Sequence, residues 1–263
     1  MHVFDESLQL KEGGDGRLHG ELDNRWWIYI GPNGGFLSSL CLRALQHVVG
    51  DELQPRTLSV HFPGRAAEGP VEFEVQLDRK GRTFTFASGR MFQRGKLMST
   101  FLATFAPAGE SMTFDDAPMP DAKMPEDIPE IVMPDEMIPE FSRNFDYRSA
   151  SDFMPFSGAD RAQGMAWIRF KDERPLDALQ VPTIADGLYP AIFAKLSAPA
   201  AVPTIDLTVH FRATLPRPYD WLLGRFETKR VTEGFFEEDG EMWARDGTLI
   251  AQSRQLALLR EFG

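Results

Sequence analysis

The chain has 263 residues, 43% of them apolar, enough to bury a sizeable core in one large domain or two ordinary ones. A net charge of −11 argues against a nucleic-acid partner, because that affinity rests on Lys and Arg neutralising phosphates. One cysteine, Cys41, excludes an intrachain disulfide and fits a reducing compartment.

The opening stretch MHVFDESLQLKEGG has neither a basic lead nor a long apolar run. No segment approaches the ~18 apolar residues of a membrane span. A cytoplasmic protein with no membrane partner is therefore expected. GRLHGELDNRWWIYI reads as strand, and GPNGG then breaks the chain. Phe36, Leu37, Leu40, Cys41, Ala44, Leu45 and Val48 follow the 3, 4, 7 spacing of an apolar stripe, which predicts a buried helix over Phe36–Val49. Cys41 lies between Leu40 and Leu42 in that helix, the setting of an inert thiol rather than a nucleophile. Strands are predicted over 57–63, 71–77, 83–92 and 97–106, with hairpin turns at RKGR and QRGK.

Residues 107–140 are a different material. They hold seven prolines and ten of the thirty-nine acids, against one lysine. Proline removes helix donors and excludes a central strand, so an extended surface crossing is expected, anchored by Ile128, Ile131, Val132, Met133, Met137 and Ile138. NFDYRSA and GMAWIRFKD follow as strands, then a helix over 186–196, then strands over 204–214, 221–229, 232–245 and 249–260.

The second half thus repeats the plan of the first. SVHF at Ser59 and TVHF at Thr208 are 149 positions apart and have matching flanks, a separation of domain size, which points to a duplicated domain. In each half an antiparallel meander must curl round a helix too apolar to face water. The fold class expected is α+β, a double hot-dog. Its parts are 1–106 as the N-terminal hot-dog, 107–140 as a proline- and acid-rich linker, and 141–263 as the C-terminal hot-dog with the candidate site.

On GGFLSSLCLRAL, SVHFPGR and DRKGRTFTFASGRMFQRGKLMSTFLATF in the first half, and MAWIRF, ADGLYP, TIDLTVHFR, DWLL and DGTLIAQSRQLALLR in the second, the chain resembles the double hot-dog acyl-CoA thioesterases of type II. The resemblance implies hydrolysis of acyl-CoA to free acid and CoA by a water held between an Asp, a Ser or Thr, and a Gln. Carried onto this sequence, these are Asp186 of ADGLYP, Thr204 of TID and Gln255 of the last strand. The chemistry agrees, because an activated thioester needs only a placed water, a base and oxyanion donors. No cofactor is expected, and no metal, since no HExxH or clustered His/Cys spacing is present. The expected substrate is an acyl-CoA, and open sheet edges suggest a homodimer.

Each residue also has a plainer reading. Asp186 at a helix start could be only a cap. Aligning GGFLSSL with ADGLYPA, however, puts Gly35 opposite it, so the first half lacks the acid. Free N–H groups at that helix start would polarise the thioester carbonyl. Strict alternation puts Thr204 on one strand face with Asp206, Thr208 and His210, and Asp206 is a rival carboxylate. Gln255 among apolar strand residues needs a paired amide. His61 and His210, preserved in both halves, suit architecture better than twin bases. Trp26, Trp27 and Tyr29 fit a core better than an acyl tunnel. Arg79, Lys80, Arg82, Arg94 and Lys96 are either a CoA phosphate site or solvated hairpin charge, the latter favoured. An acyl-CoA binding module without turnover is the rival function. An enoyl-CoA hydratase is disfavoured because Asp186 is followed by Pro190 and Ala191, with no His.

Overall fold

The computed structural model describes residues 1–29, 31–130, 135–152 and 154–261. Its first half runs α1 (Val3–Ser7), β1 (Leu18–Leu22), α2 (Gly34–Val49), β2 (Gln54–His61), β3 (Gly69–Lys80), β4 (Thr85–Gln93) and β5 (Lys96–Ala106). The second runs β6 (Phe145–Ser149), β7 (Ala162–Phe170), α3 (Gln180–Ala185), α4 (Ile192–Lys195), β8 (Thr204–Phe211), β9 (Leu222–Thr228), β10 (Phe235–Ala244) and β11 (Leu249–Leu258). The strands form one antiparallel sheet in the order β1-β3-β4-β5-β2-β8-β11-β10-β9-β7-β6, with short pieces at Lys11–Glu12 and Val231–Thr232 bringing the count to thirteen. This is the α+β double hot-dog.

The repeated tetrapeptides meet at its centre. β2 pairs with β8, and Ser59 lies opposite Thr208 with their hydroxyls 2.8 Å apart. Asp206 faces His61 and Thr57 faces His210. The offset of 149 converts one of these pairs into the other, as a pseudo-twofold through Ser59 and Thr208 requires. His61 and His210 are both exposed on the outer face of the sheet, where they serve neither half's interior.

Helix α2 is apolar on most of its circumference and is accordingly buried from Gly35 to Leu42, with Ala44 and Leu45 beyond. Cys41 within it is fully covered, and burial pushes its thiol pKa well up. The second half departs from the expected helix over 186–196. There α3 ends at Ala185 and a second short helix begins only at Ile192. Gly187 and Pro190 account for the break: glycine weakens the helix, and proline has no N–H and clashes with the carbonyl four residues back. That carbonyl belongs to Asp186.

Residues 117–128 lie across the outer face of the second half. The Trp243 indole N–H donates to the Ala117 carbonyl at 3.0 Å and that of Trp167 to the Lys123 carbonyl at 2.9 Å. Met119, Ala122 and Ile128 pack on a separate core of Trp167, Trp221 and Leu223. Of the other apolar anchors expected here, Ile131, Val132 and Met133, and the Met137 side chain, lie outside the described residues, while Ile138 is half-buried.

Candidate active site

The segment GPNGG turns the chain into α2, and Asn33 caps it. Its Oδ1 accepts the Phe36 N–H at 2.8 Å, as an N-cap side chain should. The other end of the amide reaches across to the second half. Asn33 Nδ2 donates to the Asp186 carbonyl at 2.7 Å and to Asp186 Oδ2 at 2.9 Å. The carbonyl freed by the break after α3 is thereby satisfied. Oδ2 also accepts the Gly35 N–H at 2.9 Å.

Asp186 is therefore not at the head of its own helix, as the sequence suggested; it follows the last residue of α3. The helix N-terminus beside it is that of α2, from the other half. The expectation of free N–H groups there is also corrected: those of Gly35 and Phe36 are bonded to Asp186 and Asn33. Gly35 earns its place by contact rather than as a mere counterpart. A Cβ there would lie 2.3 Å from the Pro182 carbonyl oxygen and 2.8 Å from Asp186 Cβ.

Thr204 opens β8, and its position corrects the simple alternation. The register shifts between Thr204 and Asp206, with Thr204 opposite Ala257 and Leu207 opposite Gln255. This bulge leaves Ile205 without a register partner on β11 and returns Thr204 to the inner face with Leu207 and Val209, away from Asp206, Thr208 and His210. Asp206, the rival carboxylate, faces outward beside His61. Gln255 is 5% exposed on the inner face of β11. The Thr204 hydroxyl donates to Gln255 Oε1 at 3.0 Å.

Gln255 Nε2 donates at 2.8 Å to Glu238 Oε1, directly opposite on β10. Glu238 Oε2 accepts the Ala191 N–H at the entrance to α4. Glu238 is 4% exposed and was absent from the sequence-derived set, as was Asn33. Both left a trace: Asn33 precedes an apolar helix, and Glu238 interrupts the inward series Phe236, Gly240, Met242 of β10.

Burial dominates the electrostatics. It pushes Asp186 up to about 6, against hydrogen bonds from Gly35, Gln255, Gly34 and Asn33 that pull it down. Glu238 is pushed up to about 7, again by burial first, with the Asp186 charge adding to the rise. Asp186 keeps a partial opening to solvent, so a water can reach it.

The twin half carries none of this polarity. The bulge recurs there between Pro55 and Thr57, which makes Pro55 the counterpart of Thr204. Leu58 stands opposite Ala103 and Ala103 opposite Ala87, so alanines occupy the places of Gln255 and Glu238. One half is armed and the other filled.

Comparison with known proteins gives the arrangement its family. Residues 23–106 match the acyl-CoA thioesterase N-terminal domain and residues 124–259 the acyl-CoA thioesterase C-terminal domain. The chain belongs to the acyl-CoA thioesterase family. This thioesterase is 24% identical to the acyl-CoA thioesterase 2 of Haemophilus influenzae, covering 86% of this chain and 87% of the relative. A hot-dog protein of unknown function from Alicyclobacillus acidocaldarius superposes with a TM-score of 0.92 at 27% identity, covering all of both chains. An acyl-CoA thioesterase II from Mycobacterium marinum shares the fold at a TM-score of 0.81 and 21% identity, covering 99% of each chain.

The remaining candidates lie elsewhere in the thioesterase. Trp26 is fully buried and stacks on Phe36 with centroids 4.7 Å apart, a core residue. Trp27 is half-buried and Tyr29 is 69% exposed. Arg79, Lys80 and Arg82 lie at one end of the nine-residue β4 and Arg94 and Lys96 at the other, all exposed. At about 3.4 Å per residue the two groups are roughly 27 Å apart and cannot form one phosphate site. Among the described residues no three His, Cys, Asp or Glu side chains are grouped to hold a metal, and no helix is long and apolar enough to cross a membrane.

Proposed function

We propose that the enzyme hydrolyses the thioester of fatty or other acyl-CoA through a water held by Asp186, Thr204 and Gln255. One observation carries the reading. Thr204 and the buried Gln255 are joined at 3.0 Å, and the Gln255 amide also bears on Asp186. Their strand counterparts in the twin half are a proline and an alanine. Polar groups that the fold can do without have converged where the halves meet.

In this mechanism the Asp186 carboxylate takes a proton from the water as its oxygen attacks the thioester carbonyl carbon. A pKa near 6 leaves the group largely ionised at pH 7 yet basic enough to accept that proton. The tetrahedral intermediate collapses by breaking the C–S bond. The CoA thiolate leaves and recovers the proton from Asp186, giving acid, CoASH and the starting enzyme. Asn33 and Gly35 hold the carboxylate so that its second oxygen faces the water. Residues 1–106 and 141–263 thus work as two halves of one site, with 107–140 as the connection. A cytoplasmic homodimer acting on acyl-CoA belongs to the same proposal.

Thiol release from a panel of acyl-CoAs tests it, with Asp186→Asn beside the wild type. General-base loss predicts a fall in kcat of roughly 100- to 10,000-fold. Acyl-CoA binding without release by the wild type would favour the non-catalytic module, and full turnover by the variant would remove Asp186 from its role.

A further inference from the structure

Glu238 is a buried carboxylate outside the proposed triad. Its neighbours on the inner face of β10 are Phe236, Gly240 and Met242, and its counterpart in the twin half is the fully buried Ala87. Burying an ionisable group is costly unless it is paired, and here both oxygens are: Oε1 accepts from Gln255 Nε2 and Oε2 from the Ala191 N–H.

We propose that Glu238 is a positioning residue that fixes which end of the Gln255 amide faces Thr204, and through it the direction of every hydrogen bond at the attacking water. The inference rests on the triad reading above.

The two ends of an amide are nearly equal in size, and a threonine hydroxyl can donate or accept, so Thr204 by itself cannot choose between them. An ionised carboxylate only accepts. With Glu238 ionised, Nε2 turns to it, as the Asp186 carboxylate beside the same amide also favours, Oε1 turns to Thr204, and the Thr204 proton goes to Oε1, the arrangement observed. The Thr204 oxygen then has its lone pair left for a water proton. Asp186 accepts the other proton, and both lone pairs of the water stay free, one of them for the carbonyl carbon. Placing a proton on Glu238, or an amide in its stead, lets the group donate to Gln255. The amide is then no longer held one way round by Glu238, and where it turns over, Thr204 donates to the water instead of accepting from it, which ties up one of the water's two lone pairs and weakens it as a nucleophile.

The same contacts predict a pH signature. Asp186 faces Glu238 from the turn after α3, and Asp239, its neighbour on β10, is held by Arg254 on the outer face. Turnover needs both Asp186 and Glu238 ionised, and both are shifted upward. The acid limb of kcat should therefore fall with two protons below about pH 7.

The experiment measures kcat, KM and the kcat pH profile of wild type and Glu238→Gln on one acyl-CoA, with thermal midpoints. The wild type should show a two-proton limb. The variant should lose roughly 10- to 100-fold in kcat with KM within about twofold, and its limb should fall with one proton, that of Asp186. A variant with wild-type kcat, or one whose limb still takes two protons, overturns the proposal. Should Glu238→Gln fail to fold, the wild-type limb alone decides: two protons support the inference, one proton refutes it. Turnover unaffected by Asp186→Asn would instead sink the triad reading itself, so the two failures are separable.

Discussion

The dependence of one half's acid on the other half's glycine can be tested directly with Gly35→Ala. The new methyl would sit 2.3 Å from the Pro182 carbonyl oxygen, 2.8 Å from Asp186 Cβ and 3.0 Å from Asn33 Oδ1. Ordinary Cβ contacts begin near 3.4 Å, so the turn carrying Asp186 must retreat by about 1 Å. Two of the three obstacles are backbone or Cβ atoms, which no rotamer change can clear. Overpacking of this kind costs about 1–3 kcal/mol, or roughly 2–4 °C in Tm per kcal/mol for a chain of this size. The displacement also opens the bond from Gly35 to Asp186. A 1 Å misplacement of a reacting group costs on the order of 100-fold in rate. The assay is kcat by thiol release alongside a thermal melt. Gly34→Ala is the built-in control, because the nearest atoms to its methyl are Asp186 Oδ2 at 3.2 Å and the Phe62 ring at 3.5 Å, side-chain atoms that need give by no more than a few tenths of an ångström. It should keep kcat within about tenfold. If Gly35→Ala turns over at the wild-type rate, the carboxylate is not held where the structure puts it, or does not act as the base.

Thr204→Val keeps the shape and removes the hydroxyl, and should lower kcat by roughly 10- to 100-fold, whereas Thr204→Ser should retain most of it; steady-state kinetics of the pair give the answer. Stability should also depend on pH in a definite direction. Asp186 and Glu238 have folded pKa values raised from 3.8 to about 6 and from 4.5 to about 7. Between those limits the folded state holds protons that the unfolded chain releases, so their contribution is full below pH ~4 and lost as pH rises through 6 to 7. At 1.36 kcal/mol per unit each acid accounts for on the order of 3 kcal/mol at most. Asp186→Asn, which removes the proposed base, should therefore raise Tm most at pH 8 and roughly half as much at pH 5. A denaturation series at the two pH values checks this, and an equal effect at both would contradict it.

Much of this protein is written locally and could be read from the chain. The buried helix α2, the strand meanders and the hairpins follow from periodicity and turn chemistry, because each is decided by residues within a few positions of one another. The duplication was visible in SVHF and TVHF, and the acid, hydroxyl and amide of the candidate site came from the family resemblance that their motifs carry. Three features needed the folded chain. The second helix stops after Ala185 because Gly187 and Pro190 act together, and the freed Asp186 carbonyl finds Asn33 more than 150 residues away. Thr204 reaches the inner face through a bulge, which depends on pairing with β11 and leaves no mark on an alternating pattern. Glu238 becomes significant only because β10 sets it opposite Gln255. Sequence fixes what each segment can bury and where it can turn. Which buried polar groups find each other is set by strand register and by the closure of one half on the other, since an unpaired carboxylate or amide inside the sheet would be too costly to keep.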